Sequence, residues 1–377
     1  MEKREIKKLG ISTSLLGFGC MRFPVKEDGT INEAEAEAML DHAIANGVNY
    51  IDTAYPYHNG DSEPFVGRVL EKYDRSSYYL ATKLPAWQVH SLDDAKRLFH
   101  EQLTRLNKDY IDFYLLHAMN RERWESMVRL GVVDYCEQLQ REGKIRYFGF
   151  SFHDKYEVFE QILTSRQWDF CQIQFNYMDT EEQPGLKGYA LAERLQVPLV
   201  IMEPVRGGSL AQFSGEIKER FQSMDREASI ASFALRWVGT FPNVKVILSG
   251  MSAMEQVKDN LKTFAAFRPL SVREQEEIAH IAHMIKSRIQ NACTGCRYCM
   301  PCPAGVNIPY SFRIWNQYHM YQRYSLVQNN WEKNLSEAQK PKNCIQCGKC
   351  EKACPQKISI RQDLKRVQAE LDHPVWN

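Results

Sequence analysis

The chain has 377 residues, 44% hydrophobic and 25% charged, with a net charge of +1. That length exceeds what one hydrophobic core usually supports, so one large and one small domain are expected. No 18-residue apolar run and no apolar signal segment after the polar start Met1-Glu-Lys-Arg exclude a membrane helix and predict a cytoplasmic protein.

From residue 1 to about 270 one rhythm repeats: a short apolar run, a turn, then an amphipathic helical stretch. The apolar runs end at Gly19, Asp52, Lys83, His117, Ser151, Phe175, Glu203 and Ser249. Eight alternating strand–helix units predict an α/β fold, a parallel (β/α)8 barrel. Asn32-x-x-Glu35, Ser252-x-x-Glu255 and Ser271-x-x-Glu274 read as helix-opening capping boxes, and Gly47 as a helix stop. Met39, Leu40, Ala43 and Ile44 form the first buried stripe. Ile278, Ile281, Ile285 and Ile289 share a face of a last helix that leads out of the barrel near residue 285.

The active end of such a barrel is formed by the carboxyl ends of its strands. Asp52, Lys83 and His117 each close one, and Tyr57 follows Asp52 by five residues. An acid, an amine, an imidazole and a phenol at one rim make a proton-donating site. Bringing a phenol of pKa ~10 near neutrality takes about 4 kcal/mol. One ammonium at ~4 Å supplies about that much at an effective dielectric of ~20, so Lys83, held by Asp52, is expected to lower the Tyr57 pKa. His117 would orient the substrate oxygen. Tyr55 is a rival for the phenol, and His58 and His153 read as rim residues.

The run Asp52-Thr-Ala-Tyr-Pro-Tyr57-His-Asn-Gly-Asp-Ser-Glu63, with Ala81-Thr-Lys83 and Tyr114-Leu-Leu-His117, resembles the aldo-keto reductases over about residues 1–267. The resemblance implies hydride transfer between NADP(H) or NAD(H) and a small carbonyl or alcohol, with Tyr57 as general acid. It also implies Gly19 and Cys20 beside the cofactor, and Ser151 and Gln172 on the nicotinamide carboxamide. Glu203, Arg206 and Gly207 would follow the pyrophosphate, and Ser249, Gly250, Gln256 and Asn260 the adenosine. Phe152 replaces the family's usual Asn. No Arg or Lys follows Ser249 for a 2′-phosphate, which leaves Arg206 as the substitute and keeps NAD(H) open.

Residues 286–377 hold 14 Lys and Arg against 6 Asp and Glu, together with eight of the eleven cysteines. Cys293-x2-Cys296-x2-Cys299-x2-Cys302-Pro and Cys344-x2-Cys347-x2-Cys350-x3-Cys354-Pro read as ligand arrays for two [4Fe–4S] clusters; the second has the bacterial ferredoxin spacing. Three thiolates in succession hold one cluster and the fourth crosses to the other. That rule predicts Cys293, Cys296, Cys299 and Cys354 around one, and Cys344, Cys347, Cys350 and Cys302 around the second. Zinc needs only four thiolates and leaves the triplets and the Cys-Pro unexplained. The basic excess offsets anionic clusters, so nucleic acid is not expected as a partner. The aromatic, helix-compatible stretch Ile308–Trp331 between the arrays resembles an α-helical ferredoxin module. Residues 286–377 are thus expected as a second, mainly α-helical domain.

Three functions follow. One is a nicotinamide-dependent carbonyl reductase carrying clusters. Another is an electron-transfer enzyme working with an external ferredoxin, although hydride carries two electrons and no flavin fingerprint is present. The third is a non-enzymatic nicotinamide sensor.

Overall fold

The computed structural model describes residues 1–376. A short antiparallel hairpin, β1 (Lys3–Ile6) and β2 (Ile11–Ser14), precedes eight parallel strands. These are β3 (Leu16–Gly19), β4 (Tyr50–Asp52), β5 (Tyr79–Leu84), β6 (Ile111–Met119), β7 (Ile145–Phe152), β8 (Phe170–Gln174), β9 (Leu199–Met202) and β10 (Val244–Ser249). Each pairs with its sequence neighbours, and β10 returns to β3 to close the (β/α)8 barrel. Every expected strand end lies within two residues of an observed one, because apolar runs bounded by polar residues mark where backbone leaves the barrel wall.

The barrel interior is filled by Tyr50, Ala81, Phe113, Leu115, Phe170, Val200, Val246 and Leu248, the layered packing that makes such a barrel a core rather than a pore. Phe113 sits edge-on to Tyr50 and Phe170, with ring centroids 4.9 Å away in both cases. Gly17 is required here: a Cβ would come within 2.6 Å of Val246 Cγ1. The hairpin closes the amino-terminal end. Leu9 and Ile11 pack on this core, Thr13 Oγ1 donates to Lys245 O (3.1 Å), and Ser14 N and Asn49 Oδ1 meet at 2.7 Å.

The helix Glu33–Ala45 buries Ala36, Met39, Leu40 and Ala43 and stops before Gly47, whose φ is +92°. Its cap differs from the expected box. The Asn32 side chain bonds Glu35 Oε2 (3.1 Å) instead of a backbone N–H. Likewise Ser252 N donates to Gln256 Oε1 (2.8 Å), so Gln256 rather than Glu255 satisfies that helix start.

By its contacts the chain forms two units, Met1–Ala211 with Ala228–Val272, and Gln212–Glu227 with Arg273–Asn377. This differs from a division at 285/286 in two ways. The helix Val272–Ser287 lies almost wholly in the second unit, as does the helix Gly215–Met224 from the segment between β9 and β10. Within that unit Arg220 bonds Glu277 (2.9 Å) and Phe213 lies 6.2 Å from Tyr321, ring to ring. Ile278, Ile281 and Ile285 are buried, but the helix ends before Ile289, which is 42% exposed.

The second unit has helices and turns and no strand among its described residues. Pro309 starts the helix Ile308–Tyr321, where its missing N–H costs nothing. Gln322, at φ +48°, ends it, so the aromatic stretch does not continue as one helix to Trp331. Its core joins Phe312, Trp315 and Tyr318 to Leu364 and Val367 of the helix Ile360–Asp372, with Trp331 beside them. Among the described residues no helix is long and apolar enough to cross a membrane.

Candidate active site and cysteine cavities

At the carboxyl end of the barrel, β4, β5 and β6 bring Asp52, Lys83 and His117 beside Tyr57. Lys83 is fully buried, a position an ammonium tolerates only when paired. Its Nζ lies 2.7 Å from both Asp52 oxygens, donates to Thr53 O (2.8 Å) and reaches Tyr57 Oη at 3.5 Å. Burial, the largest single influence, works against its charge, yet Asp52 and Tyr57 together outweigh it and leave the Lys83 pKa above the ordinary value.

The strand carrying Lys83 is fixed from behind. Gln102 Nε2 donates to Lys83 O (3.1 Å) and to the buried Glu63 (2.7 Å), which also accepts from Thr82 Oγ1 (2.6 Å).

Tyr57 opens a tight turn in which His58 and Asn59 are both left-handed (φ 51° and 55°). Two consecutive non-glycine residues in that region cost about 1–2 kcal/mol each, so the turn is held by its surroundings. His58 Nε2 accepts from Phe23 N (3.2 Å). His117 owes its position to a register shift between Leu116 and Met119 in the β6–β7 pairing, with Ala118 at φ 54°. Ala118 N donates to Ser151 Oγ (2.7 Å). A bulge of this kind re-aims one side chain without breaking the barrel. The His117 ring meets Tyr57 edge-on at 6.1 Å and lies 5.1 Å from Trp87.

The electrostatics correct one expectation. Burial pushes the Tyr57 phenol above its ordinary pKa; Lys83 pulls the other way and does not overcome it. Asp52 adds to the effect of burial, because the ammonium seen by Tyr57 is half of a neutral pair. Burial also drives His117 well below the usual imidazole value, helped by the positive charge of Lys83. The site therefore presents a protonated phenol and a neutral imidazole at neutral pH.

These groups open into a cavity of about 680 Å³. Gly19, Ser151, Gln172, Glu203, Gly207, Ser249, Gly250, Gln256 and Asn260 line it with Asp52, Tyr57 and His117; His58 and His153 are at its wall. Two buried polar atoms beside it have no hydrogen-bond partner among the described residues, Gln172 Oε1 and His117 Nδ1. An unpaired buried amide oxygen in the cavity lining fits the carboxamide of a nicotinamide, and the glycines of the lining, Gly19, Gly207, Gly208 and Gly250, leave backbone free to approach phosphates. Glu203 holds φ 58°, with Asn176 Nδ2 donating to its carbonyl (3.2 Å).

Two expected residues are placed otherwise, and so is the rival phenol Tyr55. Cys20 is buried and outside the lining, its thiol raised well above the ordinary pKa by burial. Arg206 turns from the cavity to the buried Asp179, with Nε 3.1 Å from Oδ2. A carboxylate 5% exposed requires such a cation. Tyr55 points away as well, donating to Glu101 (3.0 Å) under the Arg105 guanidinium. Arg22, by contrast, was not foreseen. It lines the cavity, packs where a Gly250 Cβ would stand (3.2 Å), and lies within 3.4 Å of a Cβ built on Gly207. The sequence signal was a cation three residues past β3, the first barrel strand.

In the second unit two cavities divide the eight cysteines. One is lined by Cys293, Cys296, Cys299 and Cys354. The other is lined by Cys302, Cys344, Cys347 and Cys350, and by Cys299 as well. In both, the thiols stand around a volume; no group of three or more His, Cys, Asp or Glu among the described residues could hold a single metal ion. Two thiol-lined cavities with crossed fourth cysteines fit iron–sulfur clusters, whose irons each take one thiolate.

Residues 15–283 match the Aldo/keto reductase family and residues 292–358 the 4Fe-4S dicluster domain. An uncharacterized oxidoreductase of Bacillus subtilis, YqkF, is 27% identical over 322 residues, covering 78% of this chain and 99% of its own. The NADH-specific methylglyoxal reductase of Escherichia coli is 28% identical over 261 residues, 57% of this chain and 78% of its own. Among solved structures, the holo form of an aldo-keto reductase from Bacillus halodurans (26% identical) superposes with a TM-score of 0.63. The match covers 74% of this chain and 96% of that one. An aldo-keto reductase from Klebsiella pneumoniae solved with NADPH shares the fold at 22% identity and a TM-score of 0.61, over 75% of this chain and 96% of that one.

Proposed function

Because the chain belongs to the aldo/keto reductase family, we propose that it reduces a small carbonyl compound, or oxidises the alcohol, with NADPH or NADH, Tyr57 serving as general acid. The observation that carries this reading is the Asp52–Lys83–Tyr57 chain, 2.7 and 3.5 Å link by link, ending in the cavity beside His117. When bound, the nicotinamide supplies the hydride. Gln172 and Ser151 would hold its carboxamide, and Arg22 its phosphates in place of Arg206.

The protein's own part is the proton. Tyr57 Oη gives its proton to the carbonyl oxygen as that oxygen gains charge, and the phenolate left behind is stabilised by Lys83. Neutral His117 donates a hydrogen bond to the same oxygen and fixes its direction. In the reverse sense Tyr57 phenolate takes the proton of the alcohol.

The sign of the pH dependence follows. With the phenol raised by burial, Tyr57 stays protonated through neutrality. Carbonyl reduction should hold steady there and fall only as pH rises through the Tyr57 value, above the ordinary ~10. Alcohol oxidation, which needs the phenolate, should rise with pH over the same range. Initial rates in both directions across the alkaline range check this; a reduction rate already halved at neutral pH would overturn it. For Arg22, Arg22→Met should raise the nicotinamide Kd about tenfold, the worth of one charge-assisted hydrogen bond of ~1.5 kcal/mol, with kcat nearly unchanged. Fluorescence titration with NADPH and NADH measures it.

The second part of the proposal is two [4Fe–4S] clusters on the cysteine sets of the two cavities, supplying one-electron storage when bound. Cys347→Ser should remove about half of the iron and sulfide while the barrel continues to reduce carbonyls. Iron, sulfide and rate on the same sample decide it.

A further inference from the structure

The two cysteine cavities differ in what stands exposed beside them. Around Cys293, Cys296, Cys299 and Cys354 the exposed lining is mostly polar, Thr294, Arg297 and Gln356, with Pro355 beside them. Around Cys302, Cys344, Cys347 and Cys350 it carries a larger apolar group beside the exposed Lys349 and Arg361. Tyr298 there is 70% exposed and Ile345 66%, with Pro301 and Pro303 exposed beside them. Scattered exposed apolar residues need no explanation, but a group gathered at one cavity marks an interaction surface.

The charges around this group have one sign. Lys349 lines the same cavity, Lys352 follows on the same short helix, and Arg297 precedes Tyr298; all three are exposed. None of the three forms an ion pair among the described residues. Glu351, between the two lysines in sequence, is already paired with Arg361 at 2.8 Å. An apolar centre with an unpaired basic rim is the anatomy of a protein interface that selects an acidic partner. A second copy of this chain would set like charges against each other across a two-fold axis, which disfavours it.

We infer that the Tyr298–Ile345 face docks an acidic one-electron carrier protein, which exchanges single electrons with the cluster held by Cys302, Cys344, Cys347 and Cys350. This rests on the reading that the cavity holds a cluster. The step moves one electron from the reduced carrier to the oxidised cluster, with no bond made and no proton transferred. Of the two cavities, this one is next to the face where a carrier would settle.

The test mixes the anaerobic holoenzyme, its iron and sulfide measured, with the hydroquinone of an acidic flavodoxin as probe carrier. Electron arrival is read as flavodoxin semiquinone and as the reduced-cluster signal. Reduced methyl viologen, small enough to need no docking, is the control donor. The flavodoxin rate should fall about tenfold or more between low salt and about 0.3 M. It should fall similarly in Ile345→Asp and in the double variant Lys349→Glu/Lys352→Glu. Iron content and the viologen rate should not change. Wild-type flavodoxin rates in both variants, or a rate indifferent to salt, would overturn the docking face. So would a wild-type dimer in sedimentation that Ile345→Asp dissociates, since a second copy would then occupy it. A preparation that folds without binding iron would instead overturn the cluster reading on which it rests.

Discussion

Tyr57→Phe is expected to lower kcat for carbonyl reduction by about 10²- to 10⁴-fold, the range for losing a positioned general acid. Phe keeps the ring and its edge-on contact with His117, so the cavity should keep its shape. The nicotinamide Kd should stay within about twofold, because the phenol oxygen is only at the reacting end of the lining. The loss should therefore sit in kcat, as for an interaction made in the transition state alone. Single-turnover rates with saturating NADPH measure it. Retention of more than a tenth of the wild-type rate would remove Tyr57 from the role, and Tyr55, committed to Glu101 and Arg105, could not replace it.

The second large effect is on stability. Lys83 and Asp52 are buried together, and removing one partner of such a pair costs about 3–5 kcal/mol because the other charge remains. Lys83→Met should lose that much, with activity falling alongside. Its pH dependence has a definite sign. Burial already pushes the Asp52 carboxyl up, Lys83 being what pulls it back. In the variant the folded-state value rises further above the unfolded one. The folded variant then binds a proton more tightly than the unfolded chain. Its stability is best below the ordinary carboxylate range and is lost as pH rises through the folded value. The deficit against wild type should accordingly grow as pH rises from the ordinary carboxylate range through the variant's folded Asp52 value. Lys83→Met/Asp52→Leu should recover part of the loss, since no charge is left alone. Denaturant unfolding of the barrel from acid to neutral pH tests both statements, and a deficit that shrinks with rising pH over that range would contradict the pairing.

Much of the barrel was legible because its signal is local. Apolar runs ending in Asp52, Lys83 and His117 mark strand ends whatever surrounds them, and the observed strands follow. The spacing of the cysteines was legible for the same reason: fixed spacing limits which thiols can share a cavity, and the thiols of the two arrays line cavities of the second unit, Cys299 lining both. What escaped depends on partners distant in sequence. The β1–β2 hairpin has four-residue strands with weak alternation, and its role comes from Asn49 and Lys245. Arg206 looked available until Asp179 claimed it, and Arg22 gained its place from Gly207 and Gly250. The direction of the Tyr57 shift was misjudged because proximity of Lys83 can be read from motif spacing, whereas the depth of burial cannot. The helix Gly215–Met224 lies between two barrel strands in sequence, and only its contacts assign it to the second unit.

The central claim is that the barrel moves a hydride directly while the iron–sulfur unit stands apart from that step. It is tested by reducing a carbonyl anaerobically with NADPH deuterated at the reactive ring carbon, following the cluster absorbance in the same cell. The account predicts about one deuterium per product alcohol, on the former carbonyl carbon, with the cluster band unchanged throughout turnover. Product carrying only solvent hydrogen at that carbon, formed as the band bleaches, would contradict it.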